Sequence, residues 1–223
     1  SESFVLNKPR DIVSGDFYWA NRVNGQLVVT AADCTGHGVP GAFLSMLGVT
    51  FLNEITSKMD HLEANTILEK LRKRVIKSMH QEGYDQKRLD GIDLSMVVLD
   101  LKSKVLQFSG ANNPIYIIRN RELTEFKGDR MPIGIHTLLD KPFTNHKIEV
   151  KKNDLIYMFS DGFIDQFGGE YGRKFLSKNF KALLTEISGM PLIEQKNILY
   201  ETLKLWKGNR DQLDDVLVVG LKI

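Results

Sequence analysis

Four short acidic segments lie far apart in this chain, and each adjoins a run of apolar, strand-like residues. The segments are Ser14-Gly15-Asp16, Ala32-Asp33-Cys34, Ser160-Asp161-Gly162 and Asp214-Asp215. Carboxylate oxygens are the ligands that Mg²⁺, Mn²⁺ and Ca²⁺ prefer in proteins. If folding gathers these strand ends, the segments form a centre for hard divalent cations.

The charge of these segments matches a pair of such cations. One aspartate from each segment gives four negative charges, which balance two divalent ions. Two ions about 3.5–4 Å apart can share a water molecule, lower its pKa and neutralise charge on phosphoryl oxygens. The hydroxide so formed can attack phosphorus in line, so the predicted chemistry is phosphate ester hydrolysis without a protein nucleophile.

Each segment taken alone also has a structural explanation. Asp161-Gly162 is a common turn sequence, and Asp214-Asp215 can cap or end a strand. His37, between two glycines, can act as a general acid or fix its loop through a hydrogen bond, and the loop role is favoured. The order and spacing of all four segments, rather than any one of them, favour a metal centre.

The elements that must position these acids are mainly strands. Residues 26–32 are almost wholly apolar, which predicts a buried central strand that delivers Asp33 to its end. Asn24-Gly25 favours a type I′ hairpin turn that joins this strand to another at 17–20. Further strands are predicted at 95–101, 105–109, 115–119, 122–126, 147–150, 155–160 and 216–223.

Helical spacing of apolar residues predicts four helices, at 39–56, 63–80, 173–184 and 192–206. Strands outnumber helices and several form sequential hairpins, which predicts an α+β layered sandwich of antiparallel sheets flanked by helices. The sequence contains no internal repeat, low-complexity tract or linker. The simplest prediction is therefore a single domain that spans residues 1–223, and a first residue other than Met suggests that it belongs to a longer protein.

Bulk composition narrows the function classes. The chain has 223 residues, of which 42% are hydrophobic and 26% charged, as expected of a globular domain. A net charge of +2 gives no field that favours nucleic acid or anionic membranes. No apolar run approaches the roughly 20 residues of a membrane span, so no membrane insertion is expected of this segment. The lone cysteine, Cys34, fits a reducing compartment, which predicts a cytoplasmic domain, free or tethered to a membrane sensor.

Six segments together resemble a known family. They are residues 14–19 (SGDFYW), 32–42 (ADCTGHGVPGA), 108–114 (FSGANNP), 131–134 (MPIG), 159–165 (FSDGFID) and 214–215 (DD). In this order the chain resembles the metal-dependent protein serine/threonine phosphatases of type 2C, the PPM family. The resemblance is greatest to the bacterial branch typified by stage II sporulation protein E and regulators of the general stress response.

The resemblance implies an α-β-β-α sandwich with a cleft for two Mn²⁺ or Mg²⁺ ions at one edge. Asp33 is expected to bridge the ions, and the backbone carbonyl of Cys34 to add a ligand. Asp16 is expected to hold one ion, partly through water, and Asp161 and Asp214 to hold the other. These four aspartates are the expected catalytic residues, because the ions they hold activate the attacking water.

Two more acids match acidic positions of the family. Asp165 is a candidate ligand for a third, loosely held ion, and Asp215 is the alternative to Asp214 as a direct ligand. The chain also departs from the family pattern. It lacks the usual hydroxyl residue two places after Asp214, and the phosphate-binding arginine of eukaryotic members has no clear counterpart, with Arg10 and Lys8 as the only nearby basic residues.

The function implied is hydrolysis of phosphoserine or phosphothreonine on a regulatory protein, such as an anti-sigma-factor antagonist in a partner-switching pathway. An upstream sensor domain is expected to act through the helices that begin near Val39 and Glu63, and a homodimer is left open. One alternative is an inactive pseudo-phosphatase that binds phosphoprotein as a signalling module. Another is a two-metal nuclease or phosphodiesterase, which the near-neutral charge disfavours.

Overall fold

The computed structural model of the chain describes residues 2–79, 90–100, 102–138 and 140–223. The strands are β1 Glu2–Lys8, β2 Phe17–Val23, β3 Gln26–Cys34, β4 Gly91–Asp100, β5 Val105–Ala111, β6 Ile115–Arg119, β7 Glu122–Phe126, β8 Ile133–Gly134, β9 His146–Glu149, β10 Leu155–Phe159, β11 Phe167–Gly168, β12 Arg173–Lys174 and β13 Val216–Lys222. The helices are α1 Gly38–Ser57, α2 Ala64–Ser78, α3 Gly162–Asp165, α4 Ser177–Ile187 and α5 Leu192–Lys207.

The larger strands form two antiparallel sheets. The β3 sheet has the order β2-β3-β4-β5-β9, and the short β8 pairs with the start of β4. The β13 sheet has the order β1-β13-β10-β6-β7. Apolar side chains of both sheets meet in one buried layer, which includes Val29, Val97, Ile156 and Val219. The two sheets therefore pack face to face, as in a β-sandwich.

Helices cover the outer face of each sheet. A second buried layer joins the β3 sheet to α1 and α2, where Leu52 and Leu68 are fully buried. A third layer joins the β13 sheet to α4 and α5, where Phe180 and Leu199 are fully buried. The predicted α-β-β-α sandwich is confirmed. Strands β10 and β13 are apolar along their whole length because both of their faces are covered.

Most predicted elements lie within a few residues of their observed bounds. The β2–β3 hairpin turns at Asn24 and Gly25 with φ values of 50° and 81°, as a type I′ turn requires. The β6–β7 turn repeats this at Asn120 and Arg121, with φ values of 51° and 66°. The predicted ends at His80 and Leu101 fall outside the described residues.

Two segments depart from the sequence prediction. The predicted helix at 173–184 is wrong at its start, because Arg173–Lys174 pairs with β11 and α4 begins only at Ser177. Leu176 has a φ of 73°, a left-handed conformation that no helix can pass through. The sequence predicted no strand before residue 17, yet β1 pairs along β13 and buries Phe4 and Leu6.

Helix α1 extends slightly beyond the predicted range 39–56, and it is strongly apolar. It has 20 residues and a mean hydropathy of 1.2, enough by length and composition alone to cross a membrane. Core helices pass the same test, and the buried Leu44, Leu52 and Ile55 pack α1 into the layer shared with α2 and the β3 sheet. Its opposite face exposes apolar side chains, among them Val39, Phe43 and Met46.

Candidate metal centre

The four predicted ligands stand at strand ends on one edge of the sandwich. Asp33 is the penultimate residue of β3, and Asp16 immediately precedes β2, which pairs with β3 from Phe17 and Ala32 onward. Asp161 follows β10, and Asp214 precedes β13, the neighbour of β10 in the other sheet. The negative charges of Asp16, Asp161 and Asp214 all act on Asp33. Folding therefore brings these distant acids into one electrostatic site.

Asp16 is the most enclosed of these acids. Its side chain is 5% exposed, and its Oδ2 has no hydrogen-bond partner among the described residues. Burial raises its pKa to about 7, opposed by a hydrogen bond from the Ser160 hydroxyl and reinforced by Asp215, Asp214 and Asp161. A buried carboxylate oxygen that accepts no hydrogen bond costs free energy, and a bound cation would remove that cost.

Asp33 has a strongly raised pKa because it is buried among other acids. Burial raises its pKa most, and together with the charges of Asp16, Asp161, Asp214 and Asp93, in that order, it brings the pKa to about 9. Such a group holds a proton at neutral pH unless a cation takes the proton's place.

Asp161 lies at the opening of the site, with part of its side chain exposed. Loss of hydration raises its pKa to about 6, with Asp165 and Asp214 as the largest charge effects and Lys174 acting in the opposite direction. Lys174 Nζ lies 2.7 Å from Asp165 Oδ2. Asp165, predicted as a ligand for a third ion, is therefore already paired with a cation of the chain.

Asp215 supports the backbone beside the site. Its Oδ1 accepts a hydrogen bond from the Arg10 amide and its Oδ2 one from the Gly15 amide, each at 2.7 Å. Both oxygens of this buried side chain are engaged, which favours the half-buried Asp214 as the ligand of the pair. Gly15 itself packs so closely that a Cβ atom there would lie 2.7 Å from the Gly36 carbonyl oxygen.

Ser160 lies outside the predicted ligand set and acts on Asp16. Its Oγ accepts a hydrogen bond from the Leu217 amide at 2.9 Å, and its hydroxyl lowers the pKa of Asp16. Ser160 is 1% exposed, so its effect on Asp16 is shielded from water. The hydroxyl that the family pattern places after Asp214 is absent, and Ser160 places a hydroxyl near the same group of acids.

The loop between β3 and α1 closes the site on another side. His37 Nδ1 lies 2.8 Å from Asp11 Oδ2, so the imidazole ties this loop to the segment before β2. This contact matches the loop role favoured for His37. Cys34 is 3% exposed, and burial together with Asp33 and Asp16 raises the pKa of its thiol. A thiol in such surroundings is a poor nucleophile, whereas its backbone lies close to Gly15 beside Asp16.

The sequence prediction missed one acid and its partner. Asp93 lies directly opposite Asp33 in the β3–β4 ladder, and Asn112 Nδ2 donates a hydrogen bond to Asp93 Oδ1 at 2.8 Å. The predicted strand began at Ser95, which left Asp93 outside it, whereas β4 begins at Gly91. Apolar Ile92, polar Asp93 and apolar Leu94 alternate as in a half-buried strand, and this pattern could have placed Asp93 in β4.

The donor chemistry fits hard divalent cations. The acids at this edge offer carboxylate oxygens, one of them buried and without a donor. Yet among the residues the structure describes, no group of three or more Asp, Glu, His or Cys side chains is arranged so that it could hold a metal ion. Mg²⁺ and similar ions keep several waters, so few direct protein ligands are needed for each ion.

Comparison with known proteins agrees with this geometry. A family model described as stage II sporulation protein E (SpoIIE) matches residues 24–223, and the chain belongs to this family. The SiaA-PP2C domain of Pseudomonas aeruginosa is 30% identical with a TM-score of 0.88, over 99% of this chain and 85% of that chain.

More distant structures share the fold. The PP2C phosphatase domain of SpoIIE from Bacillus subtilis, solved with a fragment of its regulatory domain, has a TM-score of 0.72 at 19% identity, over 99% of this chain and 62% of that chain. The RsbU and RsbW domains of Rv1364c from Mycobacterium tuberculosis give 0.74 at 19% identity, over 99% of this chain and 59% of that chain. No curated protein sequence matches the chain.

Family membership settles the class of the domain. The chain is a PP2C-type protein serine/threonine phosphatase domain of the SpoIIE, RsbU and SiaA kind. PP2C phosphatases generally use Mn²⁺ or Mg²⁺, which agrees with the carboxylate chemistry of the β3 and β10 strand ends.

Proposed function

We propose that this domain hydrolyses phosphoserine and phosphothreonine on a regulatory protein, with two Mn²⁺ or Mg²⁺ ions held by Asp16, Asp33, Asp161 and Asp214. The observation that carries the proposal is the unpartnered Oδ2 of Asp16, buried beside an Asp33 that several negative charges surround. Bound ions supply an acidified water and neutralise phosphoryl charge.

The chain's own residues prepare the site for this reaction. The buried Ser160 hydroxyl lowers the pKa of Asp16, and Asp215 holds the Gly15 amide in place. Asp161, at the opening, stands where a phosphoryl group can approach from solvent. The thiol of Cys34 and the imidazole of His37 serve as loop anchors, so no step requires a covalent enzyme intermediate.

The substrate we propose is a small phosphorylated regulator, such as an anti-sigma-factor antagonist. Support comes from related structures: one joins an RsbU domain to an RsbW domain, and another comes from the bacterial stressosome, described as a modular signalling system. We also propose that the domain is cytoplasmic and that it forms a homodimer. The near-neutral charge of the chain gives no support to a nucleic-acid substrate.

An upstream sensor is proposed to control the site through α1. This helix begins four residues after Cys34, and its exposed apolar face includes Val39, Phe43 and Met46. The related SpoIIE structure includes part of a regulatory domain, which supports a comparable arrangement here. The test is to join a sensor domain upstream; metal affinity and turnover that are identical in every signalling state would reject this control.

The activity is tested with p-nitrophenyl phosphate and a phosphoserine peptide, with and without Mn²⁺. We expect Mn²⁺-dependent phosphate release that falls about 100-fold or more in Asp33→Asn and Asp161→Asn, because each change removes charge from the centre that activates water. Asp60→Asn, an exposed acid elsewhere, is the matched control and keeps the wild-type rate.

Two outcomes would support other functions. A folded protein that binds the phosphopeptide but releases no phosphate at any Mn²⁺ concentration would be a pseudo-phosphatase. Faster cleavage of bis-p-nitrophenyl phosphate than of the monoester would favour a phosphodiesterase.

A further inference from the structure

The strand neighbour of Asp33 is a second acid that the four-aspartate centre does not use. Asp93 on β4 is the direct register partner of Asp33 on β3. Opposite residues of an antiparallel pair project from the same face of the sheet, with Cβ atoms about 4.5–5.5 Å apart. Two like charges in this position destabilise the sheet. The pairing becomes favourable if a cation lies between the carboxylates.

A neutral donor holds Asp93 without cancelling its charge. Asn112 donates from Nδ2 to Asp93 Oδ1 at 2.8 Å, and its own backbone amide donates to the Asp129 carbonyl at 2.8 Å. Asn112 has a φ of 57°, a left-handed conformation that asparagine adopts more readily than most residues. The turn after β5 is thus built to present this amide to Asp93.

A second, independent observation points to a cation at this place. Asp16 is 5% exposed, its Oδ2 lacks a partner among the described residues, and its charge acts directly on Asp33. The charge of Asp93 acts on Asp33 and on Asp161 as well. Asp93 therefore belongs electrostatically to the group that already contains a buried oxygen in need of a partner.

We propose that Asp93 is a fifth carboxylate of the centre, which binds a divalent cation together with Asp33, and that Asn112 positions it. The inference rests on the proposed function for the presence of Mn²⁺ or Mg²⁺ at this edge. It adds a residue from β4, a strand that the family resemblance assigned no ligand.

The test is Asp93→Asn, which removes the charge and keeps the shape of the side chain. We expect Mn²⁺ affinity, measured by titration calorimetry, to fall about 10-fold or more, the size usual for groups that support a metal site. The metal-free variant should unfold at a temperature no lower than that of the metal-free wild type, because Asn at this position keeps an oxygen that accepts from the Asn112 amide. A purely structural Asp93 would instead lower the unfolding temperature of the metal-free variant.

Two further variants complete the design. Asn112→Gly removes the amide and tolerates the φ of 57°, and it should weaken Mn²⁺ binding less than Asp93→Asn does. Asp100→Asn, at the far end of the same strand, neutralises an acid that caps a turn and should leave Mn²⁺ affinity unchanged.

The outcomes separate this inference from the proposed function. Unchanged Mn²⁺ affinity in Asp93→Asn, or a wild type that binds no Mn²⁺, overturns the role of Asp93. If the wild type binds Mn²⁺ in an Asp93-dependent way but releases no phosphate from p-nitrophenyl phosphate, the fifth carboxylate stands and the proposed function fails.

Discussion

Without divalent cations, this domain should lose stability as the pH rises. Asp16 gives the size of the effect, because its pKa is about 7 in the folded protein against an ordinary value of 3.8 for an aspartate. The folded state binds the proton more tightly, so the stabilising contribution is complete below the unfolded pKa and is lost as pH rises through the folded pKa. A difference of about three in pKa corresponds to about 4 kcal/mol, of which roughly 2.5 kcal/mol is lost between pH 5 and 8.

This loss is large enough to measure. For a domain of this size, 1 kcal/mol changes the midpoint of thermal unfolding by about 2–4 °C, so the midpoint in EDTA should fall by roughly 5–10 °C between pH 5 and 8. Asp33, whose pKa is raised to about 9, adds to the fall in the same direction. Saturating Mn²⁺ should reduce the dependence, since metal ions and protons compete for the same oxygens.

The assay is tryptophan fluorescence or scanning calorimetry at several pH values in EDTA. Asp16→Asn should show a shallower dependence and a higher midpoint at pH 7 than the wild type, because it removes the buried titrating group. Asp60→Asn, exposed and outside the site, should follow the wild type. A midpoint in EDTA that is constant from pH 5 to 8, or an Asp16→Asn variant with the wild-type dependence, would refute this reasoning.

Two further predictions concern the support of the site. Gly15→Ala places a Cβ atom 2.7 Å from the Gly36 carbonyl oxygen, so it should destabilise the fold by about 1–3 kcal/mol in denaturant unfolding and lower turnover. The control Gly189→Ala should do neither, because its Cβ atom meets only Arg121 Nη2 at 3.6 Å, an ordinary contact. Arg119→Met removes both hydrogen bonds from Arg119 to the buried Asp154. The variant should lose about 1.5–3 kcal/mol of unfolding free energy, because a buried carboxylate loses its charged partner. Its Mn²⁺ affinity, measured by calorimetry, should stay at the wild-type value.

Much of the site could be predicted because its acids stand at the ends of strongly apolar strands. The run before Asp33 identifies a buried strand, and the apolar residues before Asp161 identify another, so both acids fall at a predictable edge. Local pattern also places the hairpin at Asn24 and Gly25, where the turn requires positive φ.

The features that could not be predicted from the sequence depend on contacts between distant segments. Asp93 reaches the site through its register with Asp33, and register is set by the whole sheet rather than by nearby residues. Strand β1 has a central apolar run of only three residues, Phe4 to Leu6, and it is held by pairing with β13 from the far end of the chain. The helix predicted from Arg173 fails because Leu176 adopts a left-handed conformation, which apolar spacing does not reveal.

The most direct test of the account is electron paramagnetic resonance of the protein titrated with Mn²⁺. If the strand-end aspartates hold two ions in one centre, the wild type will bind two Mn²⁺ per chain and show the exchange-coupled spectrum of a close pair, which Asp33→Asn will lose. A spectrum of isolated Mn²⁺ at all loadings, unaffected by Asp33→Asn, would contradict the claim that these acids form a two-metal site.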